Sequence, residues 1–110
     1  MRWRTAYSKE GRTMERYVVL MKLTDQGIKD IKNGPQRVEL SAAAMEAMGG
    51  KLVDFYLVMG EYDYVVIGDV PNAEVGTAFL LSLGAAGNVK TTSLRAFNKK
   101  EFADIVKKMP

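Results

Sequence analysis

Four segments of the chain carry the β-branched and aromatic residues that are typical of strands. Three of them, residues 16–23, 51–59 and 62–70, are apolar almost without interruption, whereas residues 89–97 alternate apolar and polar side chains. Apolar residues with helical spacing separate the first strand from the second and the third from the fourth, and such spacing returns after the fourth strand. The predicted order is therefore β-α-β-β-α-β followed by one more helix.

Capping and stop residues mark the ends of the predicted helices. Thr24 or Asp25 caps a first short helix, and the Asn-Gly-Pro segment at 33–35 breaks it and starts a second helix. Gly49 and Gly50 end that second helix. Its apolar residues recur with helical periodicity: Val38, Leu40, Ala43, Ala44, Ala47 and Met48. Asn72 opens the third helix, and Asn98 caps the terminal one.

This order of elements is that of the α+β class with the split βαβ, or ferredoxin-like, topology and a four-stranded antiparallel sheet. The short Gly60-Glu61 connection makes the second and third strands antiparallel neighbours. The alternating fourth strand is an edge strand, and we expect the other three to be central.

One face of the predicted sheet lacks an obvious cover. In this topology two helices cover one face of the sheet, so the other face should be polar. The first three strands, however, have apolar side chains on both faces, in residues 17–21, 55–58 and 64–67. Monomers rarely expose so large an apolar area. We therefore expect a second copy to pack face to face, as a homodimer or higher homo-oligomer. The alternative is that the terminal helix folds back over the sheet.

The positive charge of this 110-residue chain is concentrated at its N-terminus. Residues 1–16 carry a net charge of +3, whereas the charges of residues 17–110 sum to zero. Nucleic-acid binding needs a basic excess on the folded body, so we predict none. We expect residues 1–15 to form a disordered basic arm and residues 16–110 to form a single domain, with Met14 as an alternative start.

The absence of two residue types narrows the possible chemistry. The chain has no cysteine and no histidine, and it lacks a carboxylate cluster with metal-binding spacing. We therefore predict no metal and no cofactor. The chain also lacks an apolar run long enough for a signal peptide or a membrane span, so we predict no membrane association and take the cytoplasm as the compartment.

Asp63 is the candidate catalytic residue, because a carboxylate stands here at the start of an otherwise apolar strand. Partly desolvated among tyrosines, it would suit a general base, and Tyr62 is the tyrosine that we pair with it. The alternative is structural: the carboxylate accepts N–H groups of the 59–62 turn and fixes the hairpin.

Arg37 and three tyrosines are the candidate ligand-binding residues. Arg37 follows a helix start, where N–H groups favour anions, and would orient an acidic ligand; otherwise it is a salt-bridged surface residue. Aromatic side chains that line a pocket, or alternatively pack in strands, are Tyr17, Tyr56 and Tyr64.

Gly60, Tyr62 and Asp63 form a G-x-Y-D signature that resembles the motif of the GYD family. Other short matches follow in order: Thr24 and Gly27, Pro35 and Arg37, the Gly49-Gly50 pair, and Pro71. The resemblance covers about residues 16–98. It implies a ferredoxin-like domain of the dimeric α/β-barrel type, whose relatives include cofactor-free monooxygenases, isomerases and ligand-sensing modules.

Three hypotheses about function remain open at this point. The first is an oligomeric module that binds a small apolar or acidic molecule between its helices and its sheet. The second is a cofactor-independent monooxygenase or isomerase that uses Asp63 with a tyrosine. The third is a purely structural assembly protein without a pocket. Whether the chain is an enzyme is left undecided.

Overall fold

The computed structural model describes residues 13–110 as a four-stranded antiparallel sheet with helices. The elements in chain order are β1 (Glu15–Leu23), α1 (Asp25–Lys29), a 3-10 turn (Ile31–Asn33), α2 (Gly34–Ala47), β2 (Lys51–Leu57), β3 (Tyr64–Val70), α3 (Ala73–Ala86), β4 (Val89–Ala96) and α4 (Lys99–Val106). The predicted α+β order and ferredoxin-like topology are confirmed. Most of the predicted basic arm, residues 1–12, lies outside the described residues. In the described part of that arm, Met14 is buried and Glu15 begins β1.

The strands lie in the order β2-β3-β1-β4. All neighbouring pairs are antiparallel, and β1 and β3 occupy the centre. The predicted edge position of β4 is confirmed. The prediction that β2 is central was wrong, because β2 pairs only with β3. Its register against β3 shifts between Leu52 and Asp54, which places a bulge at Val53.

The connection between β2 and β3 is longer than the sequence indicated. Both strands are shorter than predicted, and residues 58–63 join them instead of a two-residue turn. A hydrogen bond from the Val58 N–H to the Asp63 carbonyl, 2.8 Å, closes this loop. Gly60 at its tip has φ of 126°, in the region that favours glycine.

The caps of the helices follow the predicted residues. Thr24, Asn72 and Asn98 each accept an N–H from the first turn of α1, α3 and α4 respectively. At α4 the Glu101 side chain also returns to the Asn98 N–H, which completes a capping box. Gly49, with φ of 89°, follows the end of α2 in the left-handed conformation.

Most of the periodic apolar face of α2 points away from the sheet. Its inward residues are Val38, Ser41, Ala42 and Met45, whereas a stripe of five exposed residues runs along the outer surface: Leu40, Ala43, Ala44, Ala47 and Met48. We call these five the α2 stripe. Alanine stands on both sides of the helix, so periodicity alone does not choose the buried side.

The two faces of the sheet have different covers. On one face Val19, Met21, Tyr64 and Val66 form the buried cluster, with Leu80 and Leu83 of α3 packed against it. The opposite face has no helix over it among the described residues, and we call it the open face. Because side chains alternate along a strand, its apolar centre consists of Val18, Leu20, Val65, Ile67 and Leu94.

Helix α4 does not cover the open face. Its apolar side chains Phe102, Ile105 and Val106 are all exposed, Phe102 by 63%. A helix packed across the sheet would bury such residues. The alternative in which the terminal helix folds back over the sheet was therefore wrong.

Candidate functional site

A cavity of about 210 Å³ lies between α2, α3 and the helix-covered face of the sheet. Its floor comes from the sheet, with Met21, Phe55 and Val66, and its walls are the facing sides of the two helices. Eighteen residues line it, and the wall residues from the helices include Val38, Ser41, Ala42 and Met45 of α2 and Phe79, Leu83 and Ala86 of α3.

The cavity exists because the helical layer is not closed over the sheet. No described side chain is less than 2% exposed, even at the centre of the buried cluster. Small residues such as Ala42 and Ala86 face the gap and leave it unfilled. Protein cores are normally packed without voids larger than a water molecule, so a gap of this size is a candidate binding site.

Helix α1 bridges the two walls at one end of the cavity. On the α3 side, Thr24 Oγ1 donates to the Gly87 carbonyl at 2.5 Å, and Gln26 Nε2 donates to the Ala86 carbonyl at 2.9 Å. Gly27 packs so closely that a Cβ there would lie 2.1 Å from the Asn88 carbonyl oxygen. The sequence TDQG is therefore fitted to the turn between α3 and β4.

Arg37 holds the other end of that bridge and lines the cavity. Its guanidinium donates to the Asp30 carboxylate at 2.5 Å and to the Asp30 carbonyl at 3.0 Å, and it reaches the Gly27 carbonyl at 3.4 Å. The structure thus shows the salt-bridged arginine that was the alternative at the sequence level. A ligand-binding role for Arg37 stays a prediction. A ligand bound there would have to share the guanidinium with Asp30 and with the Gly27 carbonyl.

Tyr64 brings a polar group into the cavity. The residue is 8% exposed, and its ring packs on Phe55 with ring centroids 4.9 Å apart. Its hydroxyl lies beside the first residue of α2, where a Cβ on Gly34 would be 3.4 Å from it. Among residues 13–110 this hydroxyl has no hydrogen-bond partner, so it is available to a bound molecule.

The other candidate tyrosines lie apart from Tyr64. Tyr17 lines a smaller cavity of about 60 Å³ and donates to Glu15 at 3.0 Å. Tyr56 is on the open face and donates to Asp54 at 2.6 Å. Tyr62 is in the β2–β3 loop, where Lys22 Nζ lies 5.4 Å from its ring centroid. The structure therefore does not gather the four into one aromatic pocket.

Asp63 ties the β2–β3 loop to the end of β1. Its carboxylate accepts the Leu23 N–H at 2.8 Å, and its own N–H donates to the Met21 carbonyl at 2.9 Å. The donor to the carboxylate is thus on the neighbouring strand and not in the turn. Asp63 lines neither cavity described here. Catalytic roles for Asp63 and Tyr62 stay predictions.

Sequence reasoning missed an ion pair at one end of the open face. Asp69 is 3% exposed, and Arg16 donates two hydrogen bonds to its carboxylate, from Nε to Oδ1 at 2.8 Å and from Nη2 to Oδ2 at 3.0 Å. The hydrogen bond to Asp69 raises the pKa of Arg16. The available signal was an aspartate inside the apolar run VVIGDV. Its partner is 53 residues away, so only the strand register identifies it.

Residues 13–110 contain neither a metal-binding cluster of side chains nor a membrane-spanning helix. No group of three or more acidic side chains is placed to hold a metal ion. No helix in the same range is long and apolar enough to cross a membrane.

Comparison with known proteins adds two findings. The family model described as "GYD domain" matches residues 17–106. The chain is also 32% identical over 84 residues to the "Glutamine synthetase and cystathionine beta-lyase binding protein" of Thermus thermophilus, an alignment that covers 76% of this chain and 88% of the relative. Comparison with the solved structures gives no significant match.

Proposed function

The chain belongs to the GYD domain family, and from that premise we propose that it is a protein-interaction module whose partner is a metabolic enzyme. The observation that carries the proposal is the relative named for binding glutamine synthetase and cystathionine beta-lyase, which is similar over most of both chains. Those two enzymes are therefore the first candidate partners. The cytoplasm stays the predicted compartment.

The α2 stripe is the surface that we propose for the enzyme partner. Leu40, at its N-terminal end, is 63% exposed and also lines the cavity, and Met48 is at the C-terminal end of the stripe. Glu39 and Glu46 stand on the same helix as exposed acidic residues. An apolar centre with charged neighbours is the usual composition of a protein interface. Helix α3 also exposes an apolar residue, Leu81, and has no charged residue after Glu74.

The test is direct binding to glutamine synthetase and cystathionine beta-lyase from the same organism, measured by calorimetry with the full chain. We expect Ala44→Asp to weaken the complex at least tenfold, because it places a charge at the middle of the α2 stripe, at a position that lines neither cavity. The control is Ala103→Asp, the same substitution at an exposed position of α4, which should leave binding within twofold. Absence of binding to both enzymes would contradict the proposed partners.

We also propose that two copies join through the open face. Charged residues flank its apolar centre. Lys22 and Lys90 lie opposite each other on β1 and β4 at one end, and Arg16 and Asp69 lie opposite each other on β1 and β3 at the other. A face of this kind can pack against its own twofold copy and leave the charges at the rim. The dimer leaves the α2 stripe free, because that stripe is on the other side of the sheet.

Sedimentation of the native chain and of Val65→Asp tests the dimer. We expect the native chain to sediment as a dimer and the variant as a folded monomer, because the new charge would be buried at the centre of the interface. The matched control is Leu81→Asp, which adds the same charge to an exposed position of α3. A native chain that remains monomeric at high concentration would overturn the proposal.

A second candidate function is the uptake of a small molecule in the cavity between the helices. The cavity favours this function because its lining is mostly apolar and includes the Tyr64 hydroxyl, which has no hydrogen-bond partner among residues 13–110. An apolar cavity of about 150 Å³ is known to take up benzene, so about 210 Å³ is sufficient for a small organic molecule.

Two adjacent alanines of α2 provide a matched test of that uptake. Ala42 faces the cavity and Ala43 faces outward. We expect Ala42→Leu to fill the cavity and to abolish the thermal stabilisation produced by small aromatic compounds, whereas Ala43→Leu should preserve it. If no compound in a library of small organic molecules stabilises the native chain, this second function is contradicted.

A further inference from the structure

Most of the polar groups of the cavity are gathered at one end. The hydroxyl of Tyr64, the first residue of α2 and Arg37 lie towards the α1 bridge, as does Asn88 just before β4. Apart from Ser41 of α2, the remaining lining is apolar and includes the rings of Phe55 and Phe79. A molecule in the cavity would therefore have its polar atom at the α1 end and its apolar part between the helices.

The charge of the cavity wall is already balanced. Arg37 is the one charged residue among those lining the described cavity, and Asp30 neutralises its guanidinium at 2.5 Å. Asn88 is also engaged, since its Oδ1 accepts from Gln26 at 3.0 Å. A carboxylate ligand would have to give up its hydration without an unpaired cation to meet it, which is costly. An uncharged ligand avoids that cost.

The Tyr64 hydroxyl specifies what the polar atom of the ligand should be. This hydroxyl is accessible to water, since among residues 13–110 no fully buried side-chain oxygen lacks a partner. A ligand that displaces water from it leaves the hydroxyl without a hydrogen bond unless a ligand atom accepts from it, so an accepting atom is favoured. The aromatic pair Phe55–Tyr64 lines the same space, and such rings prefer a third ring in a tilted or offset contact. The volume admits one substituted ring.

From these observations, and resting on the proposed uptake of a small molecule, we infer that the cavity binds an uncharged compound with a single ring and one hydrogen-bond-accepting oxygen, which accepts from the Tyr64 hydroxyl. Tyr64 is then the residue that distinguishes oxygen-bearing ligands from hydrocarbons of the same shape.

Three probes of similar size test the inference. Acetophenone has a ring and one accepting oxygen, α-methylstyrene has the same shape with a methylene in place of that oxygen, and benzoate has a charge. Binding is followed by NMR of the methionine methyl groups. Met21 and Met45 line the cavity, whereas Met59 is fully exposed and serves as an internal control.

We expect acetophenone to bind the native chain about three- to tenfold more tightly than α-methylstyrene, which is the usual contribution of one neutral hydrogen bond. Benzoate should bind more weakly than either. The variant Tyr64→Phe keeps the ring against Phe55 and should bind the two uncharged probes equally, with α-methylstyrene unchanged from the native chain.

The possible failures are distinguishable. If none of the three probes shifts the Met21 and Met45 signals, the cavity does not take up small molecules and the function proposed for it fails. If the uncharged probes bind the native chain equally well, the cavity function stands and the role of Tyr64 is overturned. If benzoate binds most tightly, the ligand is an anion and the inferred class is wrong.

Discussion

The two faces of the sheet differ in how their apolar side chains are covered and how their charged side chains are paired. On the helix-covered face, apolar residues are buried but the layer above them leaves a cavity, so the chain itself provides cover without complete packing. On the open face, the apolar centre has no cover within the described chain, while the ion pair at its end is complete. This difference is the basis on which we propose small-molecule uptake at the first face and self-association through the second.

Adjacent valines on β3 provide the strongest test of this difference. Val66→Asp would bury a charge in the core cluster, and we expect it to lower the free energy of unfolding by about 3–5 kcal/mol. Val65→Asp points to the open face and should cost the monomer less than about 1 kcal/mol. Chemical denaturation of both variants measures the contrast. Equal losses in the two would show that the faces do not differ as described.

The Arg16–Asp69 pair gives the next largest effect. Arg16→Ala would leave the Asp69 carboxylate buried without its partner, and we expect a loss of about 2–3 kcal/mol, reduced from the fully buried case because Arg16 is partly exposed. Lys22→Ala, on the same strand and face, removes an exposed 3.7 Å pair with Glu61 and a 5.4 Å contact with the Tyr62 ring, and it should change stability by less than about 1 kcal/mol. Denaturation curves that coincide for the two variants would contradict this ranking.

Asp63 tests the link between the loop and the centre of the sheet. Asp63→Ala would leave the Leu23 N–H without its acceptor, and we expect a loss of about 1–2 kcal/mol. Asp63→Asn retains an accepting oxygen and should lose less than half as much. If a substrate is found, the same Asn variant separates the two hypotheses, since a general base is lost in it and a structural acceptor is kept.

The smallest effect is a difference in pH dependence between two tyrosines on opposite faces. Burial raises the pKa of Tyr17, and its hydrogen bond to Glu15 raises it further. The folded chain then holds this proton more tightly than the unfolded chain, so the free energy of unfolding falls as the pH rises above about 10. Tyr17→Phe should remove part of that fall.

Tyr56 provides the control for that measurement. Its pKa is also raised, but the cause is the hydrogen bond to Asp54, and the residue stands exposed on the open face. We expect Tyr56→Phe to alter the alkaline slope less than Tyr17→Phe, because solvent screens an exposed contact. Thermal unfolding between pH 8 and 11 measures both slopes, and a larger change for Tyr56→Phe would contradict the assignment.

Local sequence signals predicted the fold well. Thr24, Asn72 and Asn98 cap helices as expected, because a cap depends on neighbours within three residues. The element order followed from periodicity in the same way. The edge position of β2 was missed, since an uninterrupted apolar run is equally consistent with a central strand and with an edge strand.

The candidate site was less predictable, because it depends on contacts between distant residues. Tyr64 and Arg37 were both selected from the sequence, and both line the cavity. The sequence did not show that Asp30 forms a salt bridge with Arg37, or that Tyr17 and Tyr56 lie outside this cavity. The buried side of α2 was also undetermined, since alanines stand on both sides and the start at Gly34 sets the rotation.

The bulge at Val53 has a consequence for how copies can add to one another. β2 is an outer strand, and a straight outer strand is a template on which further chains can stack without limit. The irregular register there, together with the charges of Lys51 and Asp54, discourages such growth along the hydrogen-bonding direction. An edge of this kind suits the closed dimer that we propose and opposes fibre growth along β2.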